Sequence, residues 1–249
     1  MEKITIRAFS PSIDRESTIR YVIEHARVLE AMGVYQALHM NYAWCADPDS
    51  SVVVAEHEQL GIVGGVRLQR SKPELPLPME HMLSPLDEGV RTTMSLLQPH
   101  GNAEICGLWN AHRFAGRGVP MLLTAAAVSL ASQLRLRSIV SISASYSMEY
   151  LVSCGFTSLR SLGNDGEFTF PVPSIRSFAM VNTDLFGLEK AAEPQRQRLI
   201  SLRLQPEQVR VEMPKRTELE VQYRLVLEGT LHDRGIYDRV HQERLRYSA

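Results

Sequence analysis

The stretch AEICGLWNAHRFAGRGVPMLLTAAAVSLASQL, residues 103–134, passes from an apolar β-type run through an Arg/Gly cluster straight into a helix rich in Ala and Leu. A plain turn needs one glycine at most. Here Gly116 and Gly118 bracket Arg117, and Pro120 stands where a helix would begin. Strand, glycine loop and helix N-terminus in that order can hold a pyrophosphate, because the first helical turn has four unpaired N–H groups and a partial positive charge. The glycines let the backbone approach the oxygens without a Cβ in the way. Arg113 and Arg117 add charge-assisted contacts, and Pro120 is tolerated in a first turn. A purely structural turn is the competing reading of the loop alone. A dinucleotide fingerprint would need a third glycine and a later acidic residue, and no Gly-Lys-Ser/Thr marks a Walker loop.

The flanking sequence supplies further elements. Residues 3–9, KITIRAF, alternate with Ile4, Ile6 and Ala8 on one face, which predicts a strand. A helix follows: Ser12 and Asp14 offer N-caps, and Ile19, Val22, Ile23, Ala26 and Leu29 recur at helical spacing up to a stop at Gly33. SVVVAEHE and GIVGGVRLQR read as an antiparallel hairpin. Between residues 71 and 101 lie Pro73, Pro76, Pro78, Pro85 and Pro99, so a long loop with one or two short helices is expected, of a kind usually tied to function. A strand at 138–145, a short helix SMEYLVSCG and one or two strands in FTSLRSLGNDGEFTFPV follow. Beyond residue 173 the character shifts: LEKAAEPQRQRLISLRL reads as helix, ELEVQYRLVLEG as strand, and DRGIYDRVHQERLR mixes Arg234, Arg239, Arg244 and Arg246 with Asp233, Asp238 and Glu243, as on a solvated face or oligomer contact.

Composition excludes several classes. With 27 basic against 28 acidic residues the net charge is −1, which removes the bulk attraction that sequence-independent nucleic-acid binding needs. The three cysteines, Cys45, Cys106 and Cys154, lie far apart without Cys-x-x-Cys spacing, so neither a disulfide framework nor a zinc site is expected, and reduced thiols in the cytoplasm fit best. His81, His100 and His112 show no metal-ligand spacing either, and no metal is expected. No apolar run reaches the ~18–20 residues of a membrane span, and charged residues occupy the N-terminal positions where a signal peptide places its apolar core.

Taken with its neighbours, the opening stretch resembles the GNAT superfamily of acyl-CoA-dependent N-acyltransferases. Their central strand leads into a loop Arg/Gln-x-x-Gly-x-Gly/Ala, which RFAGRG, residues 113–118, matches; in a second register FAGRGVP overlays YRGRGIG, with Ala115 for the Arg and Pro120 for the last Gly. YLVSCGF, ending at Gly155 and Phe156, is similar to the family's YEKLGF. GGVRLQRSKPELPLP and EICGLWN resemble a narrower branch, the autoinducer synthases and long-chain N-acyl amino acid synthases, but Gly107 replaces that branch's Arg and Asn110 its Val. The resemblance implies an α/β (α+β) fold with a mixed, mostly antiparallel central sheet flanked by helices. It covers residues 1–172 as an acyl-CoA-binding catalytic domain, with 173–249 as an extension that packs on the domain or makes a homodimer.

It also implies a function: transfer of an acetyl or longer acyl group from acetyl-CoA or another acyl-CoA to a small-molecule amine or amino acid. The alternatives are a synthase fed by acyl carrier protein, for which Arg67, Arg70 and Lys72 would begin a basic patch, and a CoA-binding module without catalysis. The donor's diphosphate is assigned to Arg113, Phe114, Ala115, Gly116, Arg117, Gly118 and Val119, with Ser145 nearby, and its pantetheine arm to Leu108, Trp109 and Asn110. Glu104 is the candidate base, sharing a strand face with Cys106 and Leu108; an ion-paired carboxylate is the equal alternative. The family's helix Tyr falls on Leu151, so Tyr146, with Tyr150 behind it, is the candidate acid, against a tyrosine that merely packs. A nucleophilic Cys106 is disfavoured, as a strand cysteine is usually a small hydrophobe.

Overall fold

The computed structural model describes residues 1–34 and 41–228. Residues 35–40 and the arginine-rich stretch at 233–246 lie outside the described residues. The elements are β1 (Glu2–Phe9), α1 (Arg15–Ala31), β2 (Ser50–His57), β3 (Gly61–Arg70), α2 (Pro78–Leu83), α3 (Gly89–Leu97), β4 (Asn102–Asn110), α4 (Val119–Ser129), β5 (Ser138–Ala144), α5 (Met148–Ser153), β6 (Thr157–Ser158), β7 (Glu167–Thr169), β8 (Arg176–Asn182), α6 (Glu193–Leu204), β9 (Glu207–Glu212) and β10 (Leu219–Arg224). Among them no helix is long and apolar enough to cross a membrane.

The strands form one ten-stranded sheet in the order β6-β8-β5-β4-β3-β2-β1-β10-β9, with β7 also on β8. Its pairings are antiparallel except β4 with β5 and β1 with β10. The expected hairpin is β2–β3, and the Pro-rich segment carries the two short helices α2 and α3. The division expected at residue 172 does not divide the sheet. β8 runs along β5 from Ser177 to Asn182, between β5 and β6, and β10 runs along β1, so strands from beyond residue 173 lie on both sides of the sheet's centre.

Both sheet faces are covered, which explains why SVVVAEHE reads as a nearly unbroken apolar run rather than an alternating one. Val53, Ala55 and Val63 face a core built on α4 with Leu199 and Leu202 of α6. Val52, Val54 and Ile62 face the opposite way, toward Tyr21 of α1 and Trp44. On that side Leu77, Met79, Leu83, Val90 and Met94, around α2 and α3, pack on Val140 and Ala179. Nine of the eleven α4 residues are buried, since the helix lies between the sheet and α6. Its run of alanines permits that approach on every side.

The apolar face expected for α1 is displaced. Ile19 and Ile23 are 58% and 46% exposed, whereas Ser17, Thr18, Tyr21 and Leu29 are buried. Two glycines set the rotation: a Cβ on Gly65 or Gly107 would lie 2.7 Å from Tyr21 atoms, so only there can the phenol ring sink onto β3 and β4. Asp14 is the N-cap, accepting from the Ser17 N–H at 3.0 Å, and Arg7 holds both Asp14 and Glu56. Tertiary space, not the count of apolar side chains, decides which face of the helix goes in.

A buried charge cluster fixes β9 and β10 to α6. Glu212 accepts from the Arg198 guanidinium at 2.9 and 3.0 Å, from Arg210 Nε at 2.8 Å and from the Tyr223 hydroxyl at 3.2 Å. Removing one member of such a cluster leaves buried charge uncompensated. Glu212→Ala is therefore expected to lose about 3–5 kcal/mol in urea unfolding; a loss within the range of a surface substitution would show the cluster to be dispensable.

Candidate functional site

After Glu104 the parallel strands β4 and β5 part. Their pairing runs only from Asn102–Ser138 to Glu104–Val140, and the Ser141 hydroxyl then bridges to the Ile105 carbonyl at 2.8 Å. Beyond that point a cavity of about 460 Å³ opens between residues 105–110 of β4 and 141–144 of β5. It reaches α1 at Tyr21 and His25 on one side and α5 at Tyr150 and Leu151 on the other.

The local shape of β4 comes from a bulge. Arg67 of β3 faces Cys106 but Gly65 faces Trp109, so β4 carries one residue more than β3 between these pairs. Gly107 takes φ +58° there, and its carbonyl accepts from the Tyr21 hydroxyl at 2.8 Å. The extra residue corrects the expected alternation. Trp109, not Leu108, follows Glu104 and Cys106 on the α1 side, while Leu108 joins Ala103 and Ile105 on the α4 side.

The polar wall of the cavity is made by Glu104, Arg67, Trp109 and His25. Glu104 is fully buried; its Oε2 accepts the Met79 N–H in the first turn of α2 at 2.8 Å, and Oε1 has no partner among the described residues. Burial raises its pKa to about 8, with the Met79 amide and Arg67 opposing. The carboxyl is therefore mostly neutral at pH 7 and, among the described residues, forms no ion pair. Arg67 donates through Nε to Cys106 Sγ at 3.1 Å and lies 4.4 Å from the Trp44 ring centroid. Trp109 Nε1 is buried without a partner among the described residues, and its ring stacks on His25 at 6.5 Å between centroids. Desolvation, helped by Arg67, lowers the His25 pKa to about 4. Burial pushes the Cys106 thiol up to about 11, so it stays protonated despite the guanidinium beside it.

The residues read from the sequence divide between two places. Glu104, Leu108, Trp109, Asn110 and Tyr146 line the cavity. Tyr146 is 64% exposed, and partial desolvation raises its pKa. Residues 113–119 instead run from beyond the end of β4 into the first residue of α4, a glycine-bearing rim none of whose members lines the cavity. Arg113 donates to the Leu60 carbonyl at 3.0 Å, and Arg117 pairs with Glu2 and covers Phe114, so both guanidiniums turn toward the β1–β2 side. The Ala115 and Arg117 N–H groups are bonded to His112 and Phe114 carbonyls. Those of Gly116, Gly118 and Val119 have no partner among the described residues. Phe114 is buried in the core, and the Ser145 N–H is bonded to the Arg176 carbonyl.

Arg67, Arg70 and Lys72 do not share a surface. Arg67 lines the cavity, Arg70 donates to the Leu134 carbonyl, and Lys72 pairs with Asp47 and Asp49. Sequence reasoning did not assign Tyr21, His25 or Trp44 to the site. The Gly65 and Gly107 positions were the available signal, since unneeded glycines in strands mark close approach.

No protein-family model matches the sequence, and no curated protein matches it. Solved structures do. FeeM, an N-acyl amino acid synthase from uncultured soil microbes, aligns over 79% of this chain and 99% of its own at 10% identity, with a TM-score of 0.54. MesI, a CoA-dependent acyl-homoserine lactone synthase, aligns over 78% and 94% at 16% identity and the same TM-score. BjaI, a CoA-dependent acyl-homoserine lactone synthase with SAM and isopentyl-CoA, aligns over 96% and 99% at 11% identity, with a TM-score of 0.52. The chain has the GNAT-like fold: a mixed, mostly antiparallel sheet flanked by helices.

The Glu104 carboxyl has a consequence for stability. Its pKa is raised in the folded state, so the neutral form's advantage is full below the ordinary value of 4.5 and is lost as pH rises through about 8. Glu104→Gln keeps an acceptor for the Met79 N–H and cannot ionise. Across that window the wild-type melting temperature is expected to fall relative to E104Q in thermal denaturation; parallel curves for the two would show that Glu104 is not desolvated.

Proposed function

We propose that the chain is a GNAT-type N-acyltransferase that moves an acetyl or longer acyl group from an acyl-CoA thioester to a primary amine bearing an anionic group. The observation that carries this reading is the parting of β4 and β5 after Glu104, which leaves a cavity with a carboxyl group on its wall. The donor's acyl-pantetheine arm lies along β4 past the bulge. Its diphosphate meets the free amides of Gly116, Gly118 and Val119. A Cβ on Gly116 would meet nothing within 4 Å, so that backbone is open to a ligand.

Arg67 selects the acceptor. Among the described residues no carboxylate pairs with it, and the nearby Glu104 is mostly neutral at pH 7, so this end of the cavity carries a net positive charge. An acceptor with a carboxylate, such as an amino acid, supplies the missing partner. Trp109 Nε1 adds a second donor. With an alkylammonium of pKa about 10 as acceptor, Glu104 is the better base. The ionised fraction of Glu104, a minority near neutral pH that grows as pH rises through about 8, is a strong enough base for the task, whereas His25 at about 4 is too weak.

In the reaction the ionised form of Glu104 takes the ammonium proton, and the freed amine nitrogen bonds to the thioester carbonyl carbon. The carbon–sulfur bond breaks as the Tyr146 hydroxyl, kept protonated by its raised pKa, gives its proton to the leaving sulfur, and the second nitrogen proton passes through solvent to the tyrosinate, leaving a neutral amide, a free thiol and Tyr146 restored. Cys45, Cys106 and Cys154 are all free, which suits a reducing cytoplasm as the compartment.

Thiol release from acetyl- and longer acyl-CoA, measured against amino acids and uncharged amines, tests the assignment. Amino acids are expected to be preferred, and Arg67→Gln to raise their KM about tenfold or more, as for loss of a charge-assisted contact, while the KM for uncharged amines stays unchanged. Glu104→Gln is expected to lower kcat about 10²–10⁴-fold with CoA affinity unchanged. Equal use of uncharged amines would remove the Arg67 role. CoA binding with no thiol release from any acceptor would instead leave a binding module without catalysis.

A further inference from the structure

The turn between β9 and β10, residues 213–218, crosses the rim where the donor's diphosphate is placed. Pro214 is buried against Gly118, the N-cap of α4: a Cβ on Gly118 would lie 2.7 Å from both Cβ and Cγ of the proline ring. From there the turn reaches α5, where Lys215 Nζ lies 3.1 Å from Glu149 Oε1 and 5.6 Å from the Tyr150 ring. Tyr150 itself lines the cavity. The covering group is an apolar ring, so the Gly118 and Val119 amides are shielded without gaining an acceptor. A helix start covered in this way is a poor resting place for its N–H groups.

We propose that residues 213–218 are a gate, closed over the phosphate rim in the free chain and displaced when acyl-CoA binds. The proposal rests on the donor site assigned above. The two ends of the turn have firm footings. Glu212 is held by Arg198, Arg210 and Tyr223, and β10 is paired with β1 from Leu219 onward. Between them the fastening is slight. The Lys215–Glu149 pair is solvent-exposed, the kind of contact that contributes little, and Pro214 has no backbone N–H to donate. A diphosphate offers the amides of Gly116, Gly118 and Val119 the acceptors that Pro214 lacks, and leaves Lys215 free to exchange its carboxylate for a phosphate. The equilibrium between closed and open turns then lowers the apparent donor affinity by the open fraction.

The test is calorimetric titration of the full chain with CoA alone, at one pH and one salt concentration. The proteins are the wild type, Glu149→Gln, which removes the latch charge, and Pro214→Gly, which removes the covering ring. Both variants are expected to bind CoA about two- to fivefold more tightly, the scale of an exposed ion pair. In the wild type, CoA is expected to speed amide hydrogen exchange in residues 213–218. If the wild type binds CoA but neither variant binds it more tightly, and exchange in the turn does not rise, the gate is overturned and the donor site stands. If neither the wild type nor either variant binds CoA, the donor reading falls and the gate with it. Should Pro214→Gly fail to fold, Glu149→Gln decides the affinity question.

Discussion

The hydrogen bond from the Tyr21 hydroxyl to the Gly107 carbonyl, with the bulge that presents that carbonyl, is the constraint on which the rest of the site depends. The ring needs the space left by Gly65 and Gly107, and it draws α1 down over β3 and β4. The bulge in turn moves Trp109 to the α1 side, where it stacks with His25 and closes one end of the cavity. A single inserted residue thus decides which side chains face the cavity. The pairing of β4 with β5 has already ended, at Glu104, when the bulge begins. One strand therefore has a free edge toward β5 and an altered face toward α1 within a few residues.

The electrostatic character of the cavity follows from unequal desolvation. Arg67 keeps its charge because a guanidinium is hard to deprotonate and tolerates stacking on an indole. Glu104 and His25, at the same wall, respond to burial by favouring their neutral forms. The result is one fixed cation among groups whose charge state is set by burial. Cys106 fits the same logic: a thiol near a cation usually ionises more easily, yet here burial outweighs the guanidinium.

Much of this was written locally in the chain. The run from β4 through the glycine loop into α4 was legible because each part has its own signal: β-type residues, glycines at φ +76° and +78°, a proline in the first turn and an Ala/Leu helix. The β2–β3 hairpin and the short helices of the Pro-rich segment were legible for similar reasons. The buried face of α1 was not, since Ile19 and Ile23 suit a core that the sheet does not offer them. β8 and β9 were missed because SFAMVN follows a run of prolines and EQVRVE alternates weakly beside stronger helical patterns. Glu104 was found as a carboxylate on the central strand. Its tie to α2 joins residues far apart in sequence and could be seen only in three dimensions.

The parallel pairing of β1 with β10 brings Glu2 beside Leu219. Roughly two hundred residues separate them, so on a ribosome working at about 5–20 residues per second β1 waits some ten seconds or longer for its second neighbour. During that interval its outer edge can pair with other chains, a hazard that shorter-range topologies avoid. β10 thus covers the β1 edge only after more than two hundred residues have been made, and chaperone demand during synthesis should track how soon it arrives.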